Sequence, residues 1–91
     1  MAATAVMTVA MKEMEAQLER IDFAGGGFVV SEDVLAVARR VARQGYSFAD
    51  AYQAANVAER ALMAARRRQA EHHVREVEER VAAKDMANQW R

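Results

Sequence analysis

The 91-residue sequence contains no cysteine and no proline. Without cysteine, the chain can form neither disulfides nor thiolate metal sites. Without proline, no backbone donor is missing, and 21 of the 91 residues are alanine, which favours helix. No segment shows the sustained apolar and polar alternation of a strand. These features together predict an all-α protein.

The chain also lacks net charge, because its 13 basic residues balance its 13 acidic ones. There is accordingly no global electrostatic field to attract nucleic acid or a membrane surface. No apolar run approaches the length that spans a bilayer. The opening segment lacks the positive charge that precedes the apolar part of a signal peptide. We therefore expect a cytoplasmic protein with no membrane partner.

The chain is short enough to predict one small helical domain over residues 1–91. A core of this size is marginal unless another source adds buried area, and self-association or a partner is the usual one. Alanine buries little area per side chain, so we expect close helix packing rather than a thick core. A homodimer or a complex with a larger protein is the expected state.

The first helix is predicted over about residues 5–23. Its apolar residues are spaced by fours and threes, which is typical of the a and d positions of a coiled coil. Such a stripe either packs on the longest helix of the same chain or binds another chain, and methionine suits adaptable contacts of both kinds. The stripe consists of Met7, Met11, Met14, Leu18 and Ile21.

A glycine-rich segment, residues 24–30, follows as a predicted hinge between the first and second helices. Three consecutive glycines end a helix and let the chain reverse. The segment lacks the Gly-Lys-Ser/Thr of a phosphate-binding loop, because its glycines are followed by Phe28, Val29 and Val30. We interpret it as a flexible turn in which Phe23 and Phe28 are apolar anchors.

The second helix is predicted over about residues 32–44. Ser31 is the expected N-cap, and Gly45 supplies the left-handed residue that ends the helix. One face is apolar, while the other carries three arginines, Arg39, Arg40 and Arg43. Positive charge near a helix C-terminus is favourable, so a solvated rim is the default interpretation of this group.

The third helix is predicted over residues 48–89, begun by the Ser47-x-x-Asp50 capping pattern. Unbroken, it would be about 64 Å long, more than a domain of this size can cover. We therefore expect part of it to project or to pair. A second a/d seam runs along it, interrupted by Arg67, and the first helix offers a seam of matching length. The predicted interaction residues are Met63, Ala70, Val74, Val77, Val81 and, at the end, Trp90.

Residues 48–68 resemble the helix-turn-helix of bacterial and phage DNA-binding proteins. Asn56-Val57 would be the turn, and Glu59 to Arg68 the recognition helix. The resemblance implies a DNA-binding regulator that dimerises through its C-terminal helix. Ala58 stands where the family usually has Ser or Thr, and alanine favours an unbroken helix. The candidate nucleic-acid contacts are Arg39, Arg40, Arg43, Arg60, Arg66, Arg67 and Arg68.

Catalytic chemistry has little support in the sequence. His72 and His73 are adjacent on a helix, so their side chains point about 100° apart and cannot share a metal. Ser31 and Ser47 serve as expected caps, with neither histidine nearby in sequence. We expect a non-enzyme with no cofactor, no metal and no small-molecule substrate.

The sequence as a whole predicts a small helical interaction or assembly module that is a dimer or docks on a larger protein. Small accessory proteins of phages and mobile elements that assemble on or inhibit host machinery have this size and build. This comparison is one of architecture alone. DNA binding through the helix-turn-helix stays open as the alternative function.

Overall fold

The computed structural model describes residues 2–89, which form three α-helices and no strand over that range. Helix α1 spans Ala2–Phe23, α2 spans Ser31–Ala42 and α3 spans Phe48–Gln89. The prediction of an all-α fold with a long third helix is confirmed. The predicted helix ends agree with the observed ones to within a few residues.

Local capping explains where α3 begins and where α1 ends. The Ser47 hydroxyl accepts a hydrogen bond of 3.2 Å from the Asp50 amide, as predicted for an N-cap. At the end of α1, the Gly26 amide donates to the Ile21 carbonyl and the Gly25 amide to the Asp22 carbonyl. This is a Schellman motif, and its left-handed residue is Gly25, with a φ of 87°.

The start of α2 differs from the prediction by one residue. The N-cap is Val30, and Ser31 is already the first helical residue. A valine side chain cannot accept a hydrogen bond, but the Asp33 carboxylate reaches back and accepts one of 3.1 Å from the Val30 amide. The acidic residue of the first turn thereby stabilises the helix start in place of a serine cap. Gly45, with a φ of 106°, follows α2 as predicted.

The prediction that the two phenylalanines beside the glycine run are anchors is wrong. Phe23 is 97% exposed and Phe28 is 82% exposed. The turn closes through the backbone hydrogen bonds of the Schellman motif, so it needs no apolar contact to hold its shape. Only Val29 of this segment is half-buried against the core.

The three helices pack in an up-down-up arrangement. Asp22 near the end of α1 contacts Arg66 of α3, while Val6 near its start lies beside Ala54, so α1 and α3 run parallel. Helix α2 returns between these ends, with the Gln44 amide donating to the Glu13 carboxylate just beyond its last residue. Short connections are sufficient for such neighbouring helices.

The core consists of small and medium apolar side chains. The largest fully buried side chains are those of Met14, Val37 and Val41. Helix α3 contributes only alanines to the fully enclosed part of the core, spaced so that they form one face of the helix. This alanine face consists of Ala51, Ala54, Ala55 and Ala58. Because alanine lets helix axes approach closely, the packing is tight rather than thick, as expected.

A polar contact also fixes α1 against α2. The Gln17 side chain donates to the Asp33 carboxylate at 2.7 Å and accepts from the Arg40 guanidinium at 2.8 Å. Asp33 therefore both stabilises the start of α2 and binds α1. A partly buried network in which each group has a partner specifies one register of the two helices.

Helix α3 extends well beyond the bundle. The described part of the chain measures 67 × 31 × 15 Å, and its longest axis is far greater than three short helices need. Because α1 ends level with Arg66, residues 67–89 continue alone for about 34 Å. We call these residues the projecting segment. None of the helices over residues 2–89 combines the length and apolar character needed to cross a bilayer.

Candidate interaction surface

Four apolar residues form a line along the projecting segment. We call Ala70, Val74, Val77 and Val81 the valine seam. Its valines are 53%, 43% and 54% exposed in chain order, and Ala70 is exposed as well. A valine on an isolated helix keeps about half its surface in water because neighbouring side chains cover the rest. No other part of the described chain lies over the seam.

The seam lies on a different side of α3 from the alanine face. At 100° per residue, the two directions around the axis of α3 differ by about 120°. Because α1 ends level with Arg66, a second helix along residues 70–81 would lie beyond the end of α1. The seam and the core are two separate surfaces of one continuous helix.

Helix α1 packs on the first half of α3 and leaves the valine seam uncovered. The end of α1 lies level with Arg66, where the Asp22 carboxylate accepts two hydrogen bonds, of 3.0 and 2.5 Å. Helix α1 packs beside the first half of α3 because both helices start at the same end of the bundle. Of the predicted α3 residues, only Met63 packs against the core.

The predicted α1 stripe lies mainly in the core. Met14 and Leu18 are buried, whereas Met7, Met11 and Ile21 are half-buried against the core. Another chain could reach the buried pair only by displacing α2 or α3. An interaction role for these five residues stays a prediction, and their observed contacts are those of intramolecular packing.

Sequence reasoning missed two buried residues of α1, Val6 and Ala10. They continue the line of Met14 and Leu18 at a spacing of four, so the buried face follows the i, i+4 period. The alternating spacing of fours and threes selected Met7 and Met11 instead, which lie at the edge of this face. A search for apolar residues spaced by four, with alanine included as apolar, would have identified the buried face of α1.

Two of the candidate arginines make hydrogen bonds within the chain, and the others are exposed. Arg66 is bound to Asp22, and this hydrogen-bonded ion pair lowers the pKa of the Asp22 carboxyl and raises that of the guanidinium. Arg40 is bound to Gln17. Of the other candidates, Arg39 and Arg43 lie on the exposed side of α2 and its cap, and Arg60, Arg67 and Arg68 are exposed on α3.

Two of the candidate arginines can be placed along α1 by their contacts. Arg40 lies level with Gln17 and Arg66 level with Asp22, so the two are about 8 Å apart along α1. Consecutive residues such as Arg67 and Arg68 point about 100° apart on the helix. Contact of these arginines with a phosphate backbone stays a prediction.

Helix α3 continues through the place where the helix-turn-helix resemblance requires a turn. Asn56, Val57 and Ala58 are helical, and the Asn56 side chain donates to the Tyr52 carbonyl of the preceding turn. Ala58 is fully buried in the core. The motif geometry is thus absent at this position, while DNA binding as such stays a prediction.

The histidines form no chelating group. His72 contacts Glu76 at 3.1 Å across one turn, and both side chains are largely exposed. Among residues 2–89, no three His, Cys, Asp or Glu side chains are placed to hold a metal ion. The contact is the kind of i, i+4 pair that stabilises a solvated helix.

One shallow groove lies at the opposite end of the bundle from the projecting segment. It has a volume of about 470 Å³ and lies where the start of α1 meets the start of α3. Its walls are mainly apolar, with Asp50 and Gln53 as the polar groups. Val57, 46% exposed, forms part of its rim. No pair of catalytic groups converges there.

Two further residues lie towards the C-terminal end of the sequence. Trp90, predicted as an interaction residue, lies outside the described residues. Met86 is exposed near the end of the projecting segment.

Comparison with known proteins found no matching protein family, no matching curated protein and no matching solved structure.

Proposed function

We propose that this chain is a non-enzymatic, cytoplasmic interaction and assembly module that associates with a protein partner through the valine seam. The observation that carries the proposal is the exposure of this apolar line on a helix that extends beyond its own bundle. The bundle is the part that fixes α3 in place, and the projecting segment is the part that binds.

The free energy of burying apolar side chains favours a role for the seam in binding. Complete burial of a valine side chain contributes about 1.5 kcal/mol or more, and the three seam valines are already arranged on one stripe. The bundle fixes the first half of α3, so the projecting segment starts from an ordered helical turn. This reduces the nucleation cost that an isolated peptide of the same length would bear.

The charged residues on the rest of the projecting segment keep it soluble as a helix in the absence of a partner. Glu71 and Glu76 stand four residues before Arg75 and Arg80, an orientation that favours helix. Apolar contact is therefore confined to the seam. This combination of a solvated helix with one narrow apolar stripe is typical of helices that pair with another helix.

The test compares Val74→Asp with Val57→Asp, using chemical cross-linking of the tagged full-length chain in its source cells. Both substitutions place aspartate at a valine of α3 that is about half exposed. At 100° per residue, Val57 points about 130° away from the seam. We expect every cross-linked species to be lost with Val74→Asp and retained with Val57→Asp.

Circular dichroism of both purified variants should show helix content equal to that of the unmodified chain. The proposal is contradicted if cross-linked species are insensitive to Val74→Asp. Loss with Val57→Asp alone would instead assign binding to the groove beside Asp50 and Ala54.

A further inference from the structure

The charges beside the valine seam are sorted by sign. We assign Val74 and Val81 to a positions and Ala70 and Val77 to d positions of a heptad. In this register one flank of the seam carries arginine and histidine, and the other carries carboxylates. The flank at the g positions consists of Arg66, His73 and Arg80. The flank at the e positions consists of Glu71, Glu78 and Asp85.

Each basic residue is followed by an acidic one five positions later. In a parallel two-stranded coiled coil, a g residue of one helix faces the e residue five positions later in the other helix. Pairing two copies of α3 in register would therefore place Arg66 opposite Glu71, His73 opposite Glu78, and Arg80 opposite Asp85. Each of the three contacts then joins an arginine or a histidine to a carboxylate.

The antiparallel arrangement has the opposite result. There, g positions face g positions and e positions face e positions, so arginine or histidine would meet its own kind and carboxylates would meet carboxylates. Like charges at such contacts are destabilising by amounts similar to those that opposite charges contribute. The sorted flanks thus distinguish between the two directions of pairing.

We propose that the partner on the valine seam is a second copy of this chain, parallel and in register. This inference rests on the proposed function, because it assigns the occupant of the same surface. Identical valines then face each other at positions 74, 77 and 81.

Most of these charges are available for this role in the single chain. Among residues 2–89, Glu71, Glu78, Arg80 and Asp85 make no ion pair, whereas Arg66 is bound by Asp22 at the base of the segment. Arg67 and Lys84 lie at the two ends of the seam. Their long side chains can carry the charges into solvent. These basic layers confine apolar pairing to residues 70–81 and make the dimer weak.

The direction of pairing can be tested by cysteine cross-linking of the purified full-length chain, because the natural sequence has no cysteine. Ala70→Cys places a thiol at a d position near one end of the seam. In the parallel dimer the two introduced thiols face each other, so mild oxidation is expected to give a covalent dimer. Ala82→Cys, on the outer side of the same segment, is the matched control and should remain monomeric.

A mixture of Ala70→Cys and Val81→Cys provides the opposite outcome. In an antiparallel pair the a positions of one helix face the d positions of the other, so Val74 would face Val77, and Ala70→Cys would join Val81→Cys while remaining uncross-linked on its own. Predominance of the mixed product would overturn the parallel assignment. Cross-linking of Ala82→Cys as efficient as that of Ala70→Cys would overturn it too, since it would indicate random collision.

Charge reversal tests the flanking contacts by a measurement of affinity. Arg80→Glu should weaken the dimer on the order of fivefold, measured by analytical ultracentrifugation, because it places a glutamate opposite Asp85 of the other copy. The double variant Arg80→Glu with Asp85→Arg should restore the original affinity. In an antiparallel dimer, Arg80→Glu would strengthen association instead, which would refute the proposal.

Mass by light scattering over a wide range of protein concentration completes the test. We expect a monomer–dimer equilibrium whose dissociation constant rises on the order of 100-fold with Val74→Asp, since the variant removes a buried valine from both copies. A chain that stays monomeric at every concentration would overturn self-pairing. If cross-links in cells still depended on Val74, the proposed interaction function would stand while this inference failed.

Discussion

Truncation of Met14 tests the bundle independently of the seam. Met14 is fully buried between the helices, and it is one of the three largest side chains so enclosed. Met14→Ala removes its packing and leaves a cavity, a change that typically costs about 2 to 5 kcal/mol. For a chain of this length the total stability is about 5 to 14 kcal/mol. A single truncation is thus expected to remove a large fraction of the stability.

Urea unfolding followed by circular dichroism measures the effect. The background should be Val74→Asp, because association would make the apparent stability depend on protein concentration. With a slope of about 1 to 1.5 kcal/mol per molar urea for a small domain, a loss of about 3 kcal/mol shifts the midpoint by about 2 to 3 M.

Met86→Ala is the matched control, since Met86 is 61% exposed on the projecting segment. We expect a change of less than about 0.5 kcal/mol for this surface substitution. The core assignment would be refuted if the two methionine variants lost equal stability, or if Met14→Ala lost less than about 1 kcal/mol.

Two further predictions concern charged contacts. The Arg66 hydrogen bonds lower the pKa of Asp22 below its ordinary value of 3.8, so the stabilisation by this pair is present at neutral pH and is lost as the pH falls through the lowered pKa. The difference in melting temperature between the unmodified chain and Asp22→Asn should therefore vanish in acid, and a difference that persists there would contradict this assignment. In a titration of labelled duplex DNA at moderate salt, we expect no saturable binding, because α3 has no turn at Asn56–Ala58. Saturable binding that Arg67→Ala weakens would establish the DNA-binding alternative.

Local signals in the sequence were sufficient to predict the helices. Ser47 as a cap, Gly45 as a left-handed stop and the glycine run after Phe23 each act within a few residues, and their chemistry does not depend on the rest of the fold. The Val30 cap was missed because Asp33 replaces the function of a serine hydroxyl through its own side chain. This exchange is visible only when the helix start is in place.

The partner of each apolar stripe could not be predicted in the same way. The spacing of apolar residues shows that Met14 and Val74 lie on apolar stripes. It does not show against which helix each stripe packs. The alanine face around Ala55 decides this point, because its small side chains let α1 and α2 approach the first half of α3. Alanine is common on both buried and solvated helix faces, so the sequence alone does not distinguish the two roles.

The proposed burial of the seam accounts for the valines of the projecting segment, whereas helix stability does not. Each valine costs about 0.6 kcal/mol relative to alanine in a solvated helix, so the three seam valines cost about 2 kcal/mol. The two Glu–Arg spacings of four residues on the same segment return at most about 0.2 to 0.5 kcal/mol each, which is less than this cost. A helix that served only as a solvated extension would be more stable with alanine at positions 74, 77 and 81. The valines become favourable only when a second helix removes them from water, and the sorted charges beside them match a second copy of the same helix.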